Sequence, residues 1–589
     1  MKLNTETILN KKEILDIHFR DVSYSPLFST TGLVAENDFN GIGSIVLNYN
    51  RKCRTIWEPF IKFEDGLVRV PSSMEKLSFA KDNKSATIAY YGRDMFVINT
   101  ENTESFEICG EITENCKGVW VESKTADTVV IRGYSLNGDA RDPDQSVPYR
   151  LGIKAIKGTV CENDRKVTVK ADDCGKAYVA VVFEALDTSE ESISQSLLSA
   201  PESIDKAVEI SKNWFTEMLY DFETEVETEK ETEILTHAIK GLLFNATIGQ
   251  GMLNGYVSAY PSRGEYPTHF LWDSCFQNLA LEYLNPRLAK DSLLMYNHYQ
   301  RVDGKFPQFL CSTWARPHET QPALIGWATL RIVNNSKEKD MDFIEKMFVA
   351  LERNNQWWLN QRMTRHGVIY CPHGLETGQD DSPRFDEGPI LAIDMNSYLL
   401  SQMRATAELA KILGNCTAEE KWTKKADILA ENMVKVMYDP DQNMFFDADP
   451  VTAERRTIWS ASGFLPLWAG VDIGEDKAKA MIKDHLLNEK KFFGRIPLPC
   501  IAYDQAEYKP EKWWRGPTWM SLSWMVNEVL LKYGFEAEHR HVCEAFHDMI
   551  LKDGNLRELF NSQTGEGLGA YDQGWTAAVF VKLHKMLRG

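Results

Sequence analysis

Paired cysteines, long apolar runs and clusters of basic residues are all missing from this chain of 589 residues. Its 11 cysteines, an odd number, are scattered from Cys53 to Cys543 with no CxxC among them. That spacing speaks against a disulfide framework and against a structural zinc site. No run of about 18 apolar residues occurs, so no segment is expected to span a membrane. The opening stretch, MKLNTETILNKKEILDI, lacks the apolar core of a secretory signal, and a cytoplasmic location is expected. Lys and Arg number 66 against 85 Asp and Glu, a formal charge of −19. With no basic cluster to offset it locally, that charge repels phosphate backbones and anionic lipid. Neither nucleic acid nor a membrane is expected as a partner. No short internal repeat is present, which disfavours a solenoid.

What is present is a globular balance, 43% hydrophobic and 26% charged residues. The length predicts two or more domains. Before about residue 200 the chain carries short β-branched runs broken by turn residues: 43–49, 85–92, 127–135, 149–156, 166–171 and 177–185. Several alternate polar and apolar, as half-buried antiparallel strands do. Residues 1–197 are therefore read as a β-sandwich and 198–228 as a helical linker, with Pro201 at a helix start. From 229 to 589 the period is helical, with Leu235, Ile239, Leu242 and Ala246 on one face. Thr417 and Glu420 have the spacing of a capping box, and Gly414 and Gly534 suit helix ends. The helical segments read as 229–250, 268–284, 286–300, 319–335, 339–363, 389–413, 418–438, 459–469, 473–488, 515–533, 536–552 and 573–587. Twelve sequential helices predict a six-hairpin (α/α)6 barrel.

In such a toroid the helices supply the core and the connections supply the chemistry. Four connections combine Trp, Gly, Pro and acids. Phe270-Leu-Trp272-Asp273-Ser-Cys-Phe276 puts an acid behind a Trp at a helix start, as a dipole partner or a site residue. His318-Glu-Thr-Gln321-Pro-Ala-Leu-Ile-Gly326 offers Gln321 for a sugar hydroxyl or for a cap. Thr377-Gly378-Gln-Asp380-Asp381-Ser-Pro-Arg384 is a tight acidic turn in which Arg384 is near enough to tune a carboxyl. Trp513-Trp514-Arg515-Gly-Pro-Thr-Trp519 has the density of a stacking platform with a charged donor. A fifth element, Leu556-Arg-Glu558-Leu-Phe-Asn561 with Thr564-Gly-Glu-Gly567 and Gly574-Trp575, places Glu558 ahead of a Gly-rich loop.

The order FLWDSCF, QPALIGWA, TGQDDSPRFD, WWRGPTW, ELFNSQTGEG resembles glycoside hydrolase family 63 over roughly residues 230–589. That family includes processing α-glucosidase I and bacterial mannosylglycerate and glucosylglycerate hydrolases, and family 37 trehalases share its clan. The resemblance implies that Asp380 is the general acid, with Asp381 its rival, and that Glu558 is the general base. It also brings Gly378 and Arg384 into the site motif. Trp513 stands where the family often has Tyr, and Leu559 where an aromatic is usual. The clan works with inversion, which requires the two carboxyls to stand about 6.5–9.5 Å apart with a water between them. Trp272, Trp513, Trp514 and Trp519 are expected to wall the sugar, and Asp273, Gln321 and Arg515 to bond its hydroxyls. The expected partner is a small α-linked glycoside, and an exo-acting α-glucosidase is the leading expectation. Trehalase-like or mannosyl- or glucosylglycerate specificity is the alternative. No cofactor and no metal are called for, and oligomeric state is unknown. A non-catalytic carbohydrate-binding barrel would keep the aromatics but tolerate loss of either carboxylate.

Overall fold

The structure is a computed structural model. It describes 2–10, 23–24, 31–34, 41–42, 44–47, 53–55 and then 60–588, except for 65, 74, 92–94, 111–117, 138–146, 164–165, 186–188, 220–221, 249–252, 254, 263–264, 267 and 312–314. The run read as a strand over 43–49 is described, as strand, only at Ser44–Leu47; its ends lie outside the described residues.

The first part of the chain is antiparallel sheet. Two sheets dominate, one of nine strands and one of five. In the larger, Ala177–Ala185 lies between Val147–Lys157 and Met95–Glu101, with Val179 opposite Ile98. The period of two decides how this central strand is buried. Val179, Val181 and Phe183 join a core shared with Phe106, Ile108, Val167 and Val169 of the smaller sheet. Tyr178, Ala180 and Val182 point the other way, onto Ile193, Leu197 and Ala207 of two helices. Both faces are dry, which is why this run reads as apolar rather than alternating. Those helices, Glu190–Leu198 and Ile204–Met218, are capped by Ser189 and Ser203, whose hydroxyls accept from Ser192 and Lys206 amides. Pro201 therefore precedes the second helix rather than opening it; its carbonyl accepts from the Tyr178 hydroxyl.

From Glu229 the structure is mainly helical. Leu235, Ile239, Leu242 and Ala246 are fully buried, as their spacing predicts. Burial of one such aliphatic side chain stabilises the fold by about 1.5–3 kcal/mol. Six helices pack in a closed succession. Leu271–Leu284 touches Ile325–Asn335, which touches Ile393–Ile412, which touches Leu465–Ala469. Met520–Lys532 follows, then Gly574–Arg588, which returns to Leu271–Leu284. Between them in sequence come the helices Pro286–His298, Met341–Gln361, Cys416–Met437, Glu475–Met481 and Glu536–Asp553. Glu229–Asn245 packs on Gly574–Arg588. The expected capping box at Thr417 does not form. Asn415 is the cap and accepts from the Ala418 amide, and Gly414, at φ +71°, ends the preceding helix.

Candidate active site

The residues singled out lie in the first turn of a ring helix or in the connection that leads into one. Trp272 and Asp273 open Leu271–Leu284, Gln321 precedes Ile325, and Asp380 precedes Ile393. Trp513, Trp514 and Arg515 precede Met520, and Glu558 lies before Gly574. Short backbone pairings lace these connections together: His269 with Leu310, Leu391 with Ala448, Ser460 with Ile501, and Thr518 with Phe560. The Gly574 amide closes the series on the Pro261 carbonyl at 2.6 Å.

Glu558 is held from several sides. Its backbone amide donates to the Ala570 carbonyl at 2.9 Å. The Ala570 amide donates back to Glu558 Oε2 at 2.8 Å, and the Tyr266 hydroxyl to the same oxygen at 3.3 Å. Trp575 Nε1 donates to the Glu558 carbonyl at 3.0 Å. The side chain is only 4% exposed. Gly569 lies against it in the left-handed region, φ +72°, where a Cβ would stand 2.6 Å from Glu558 Oε2.

The turn carrying Asp380 is organised differently. Asp380 itself is exposed. The turn is anchored four residues on, by Arg384, whose guanidinium spans two buried carboxylates. It donates to Asp447 at 2.7 and 2.8 Å and to Asp394 at 2.7 and 2.8 Å. Gln379 completes the cluster, donating to Asp394 and to Ser462. Arg384 has no exposed side-chain surface, and the carboxyls it pairs with are Asp394 and Asp447. Gly378 adopts φ +75° against the Trp272 indole, where a Cβ would come within 2.5 Å of a ring carbon.

Asp381, the neighbouring carboxyl, is committed elsewhere. Its Oδ1 accepts from the Trp514 amide at 2.9 Å, and Oδ2 lies 3.9 Å from Arg515 Nε. Arg515 forks onto Asp386 with both terminal nitrogens. That pairing raises its pKa further, and the half-buried guanidinium is fixed on its own acidic neighbours.

Asp273 links the two halves. Its carboxyl is held well above the usual carboxylate range, first by burial and then by the negative charges of Glu558 and Asp380. Both catalytic candidates therefore act electrostatically on this one group. Gln573 Nε2 donates to it at 3.3 Å. Gln321 spends its carbonyl on the Trp272 amide at 3.1 Å, fixing the start of that helix.

Trp514 and Trp519 lie on one another, centroids 3.8 Å apart and planes within 6°, and each is 1% exposed. Trp272 meets Trp514 and Trp575 at 5.8 Å each, and Trp575 meets Trp519 at 5.9 Å. The tryptophan density thus builds a packed wall behind the site, with only Trp513 half-buried. Tyr266, Gln573 and Trp575 were not foreseen as site residues. Trp575 had a signal, since it follows Gly574 at a helix start; Tyr266 and Gln573 touch the carboxylates only across about 300 residues of sequence.

A buried, amide-anchored carboxylate and an exposed carboxyl, grouped around a third acid against an indole wall, are the equipment of a glycoside hydrolase. Comparison with known proteins agrees. Residues 266–576 match the Mannosylglycerate hydrolase MGH1-like glycoside hydrolase domain, and the chain belongs to glycoside hydrolase family 63. It is 24% identical over 402 residues to a mannosylglycerate hydrolase of Selaginella moellendorffii, covering 54% of this chain and 80% of that one. A glucosylglycerate hydrolase of Mycolicibacterium hassiacum is 24% identical over 411 residues, 54% of this chain and 91% of its own. A family 63 mannosylglycerate hydrolase from Thermus thermophilus, solved with Tris and D-glycerate, superposes at a TM-score of 0.53. That match has 20% identity and covers 59% of this chain and 99% of the other. Among the described residues no helix is long and apolar enough to cross a membrane.

Proposed function

We propose that this glycosidase is an exo-acting, inverting α-glycoside hydrolase, with Asp380 as general acid and Glu558 as general base. The ring of six helices with partners between them supports reading residues 229–589 as an (α/α)6 barrel. The core shared by two sheets supports a β-sandwich over 1–197, with 198–228 as a helical linker. The observation that carries the assignment is the division of labour between adjacent carboxyls. Asp381 is spent on the Trp514 amide and Arg515, whereas Asp380 is exposed where a sugar can meet it.

Asp380 delivers its proton to the glycosidic oxygen as the bond from that oxygen to the anomeric carbon breaks. A sugar seated over it excludes water, which favours the neutral carboxyl until the proton moves. Glu558 takes a proton from a water whose oxygen bonds the anomeric carbon from the opposite face. The Ala570 amide and Tyr266 hydroxyl keep Glu558 Oε2 oriented for this role. Asp273 and Trp513 border the reacting sugar; Trp272, Trp514 and Trp519 back it.

An α-glucoside is the substrate we favour, and two small α-glycosides of glycerate form the second reading, because relatives carry those names. Proton NMR of fresh product from α-glucosides, α-mannosides and both glycerate glycosides tests both. β-Anomer that Asp380→Asn and Glu558→Gln each abolish is the expected result, and the productive member of the panel names the sugar and aglycone. First-formed α-anomer would overturn inversion. Binding without turnover across the panel would favour a carbohydrate-binding barrel.

A further inference from the structure

Away from the carboxylates described above, three buried side chains from three helices turn their donor atoms toward one point. Glu231 lies in the first turn of Glu229–Asn245, His547 in Glu536–Asp553 and His584 in Gly574–Arg588. Glu231 Oε1 is 3.4 Å from His547 Nε2 and 3.5 Å from His584 Nδ1, and all three atoms lie within 4.8 Å of one another. Neither of those two nitrogens has a hydrogen-bond partner, although both are fully buried.

The protonation of His584 sharpens the problem. Its Nε2 is 2.8 Å from the Glu225 carbonyl, which can only accept, so Nε2 carries the hydrogen. Nδ1 of the neutral ring is then a lone pair facing a carboxylate oxygen, two acceptors with nothing between them. Two imidazoles and a carboxylate are the donor set of a divalent transition ion.

The spacing fits as well. Tetrahedral zinc, with bonds to N and O of about 2.0–2.2 Å, sets neighbouring donors roughly 3.3–3.5 Å apart. The edges from Glu231 to His547 and to His584 have that length, too long for hydrogen bonds between the same atoms. The outer contacts are those that orient ligands in metal sites. Glu225 fixes the His584 tautomer, the Glu227 amide donates to Glu231 Oε2 at 2.6 Å, and Phe580 stacks on His547 at 5.0 Å and 13°. Arg588, partly exposed, approaches Glu231 Oε1 at 3.2 Å and Glu227 at 3.0 Å, as an outer donor to the carboxylate.

We propose that Glu231, His547 and His584 bind one zinc ion, with water as the fourth ligand, and that the ion is structural. His584 lies nine residues beyond Trp575, about 14 Å farther along the same helix at 1.5 Å per residue, so the ion takes no part in glycoside cleavage. It ties Glu229–Asn245 to the helix that closes the ring. The scattered cysteines speak against a thiolate site but say nothing against imidazole and carboxylate.

The test is zinc titration of the full-length protein after chelation, read by metal content, thermal unfolding and the visible spectrum of the cobalt-substituted form. One equivalent of zinc, a rise in Tm that grows with free zinc, and a tetrahedral cobalt spectrum without thiolate charge transfer are expected. His547→Gln and His584→Gln should each abolish the equivalent and the rise, with chelated wild type keeping its glycosidase kcat at low temperature. The cobalt spectrum of the wild-type protein decides the matter should either variant fold poorly. Absence of stoichiometric binding, unchanged binding in the variants, or a thiolate spectrum would overturn the proposal.

Discussion

The two turns that carry the candidate acid and base are built on opposite plans. Glu558 is fixed directly: its own carboxylate, amide and carbonyl are all bonded to neighbours, and it is nearly covered. The turn of Asp380 is anchored through Arg384 and Gln379, clamped onto Asp394 and Asp447, and Asp380 itself is exposed. The contrast follows from the chemistry each must do. A base that holds one water has to be immobile and ionised, whereas an acid must meet a leaving group that arrives from solvent.

The strongest challenge to that contrast is to remove each carboxylate. Asp380→Asn and Glu558→Gln should each lower kcat by roughly 10²–10⁴-fold with the fold intact. Asp381→Asn should cost far less. Equal losses at 380 and 381 in steady-state kinetics would mean that the acid has been misassigned. Next in size is the clamp. Arg384→Met leaves two buried carboxylates facing each other and should cost about 3–5 kcal/mol of stability. Arg515→Met, at a half-buried pair with Asp386, should cost about 0–1 kcal/mol. Urea unfolding of the two variants side by side measures the difference.

Gly569→Ala probes the direct plan. The new methyl would press on Glu558 Oε2 from a left-handed position, which strains the backbone by about 1–2 kcal/mol. A drop in kcat exceeding any loss of Tm would show that the carboxylate itself moved. The smallest effect is on pH dependence and lies at Asp273, whose raised pKa means that the folded state holds its proton where the unfolded chain has lost it. Stability attributable to this group is full below the unfolded value, near 4, and declines as pH rises toward the folded value. Asp273→Asn should remove that decline, so its Tm relative to wild type should be higher at pH 8 than at pH 5. A constant Tm difference across that range would mean that Asp273 is ionised in the folded protein.

Much of the helical architecture is legible in the sequence, because burial on one face imposes a period that survives without partners. Segments read at 286–300, 339–363 and 536–552 appear as Pro286–His298, Met341–Gln361 and Glu536–Asp553. Local end signals are less secure: Thr417 and Glu420 have the right spacing, yet Asn415, an equally good cap two residues earlier, ends the search for a hydrogen bond. The site motifs are legible as a set, but individual roles are not. Arg384 looks like a ligand residue in a short acidic turn, and only the approach of Asp447, 63 residues away, makes it a buried strut. Trp514 and Trp519 suggest an open platform until their rings are seen to cover one another. Tyr266, Gln573, His547 and His584 are beyond sequence reasoning for the same reason, since each partner is supplied by a distant stretch of chain.

The packing of Glu229–Asn245 on Gly574–Arg588 also sets the order in which a ribosome can deliver this fold. The first helix is synthesised roughly 330 residues before the one that covers it, a wait of roughly 15 to 70 s at typical elongation rates. Through that interval Glu229–Asn245, with Leu235, Ile239 and Leu242 buried in the finished fold, lacks the helix it packs on most extensively. Nascent chains shorter than about residue 574 should accordingly be the ones that chaperones hold and proteases find.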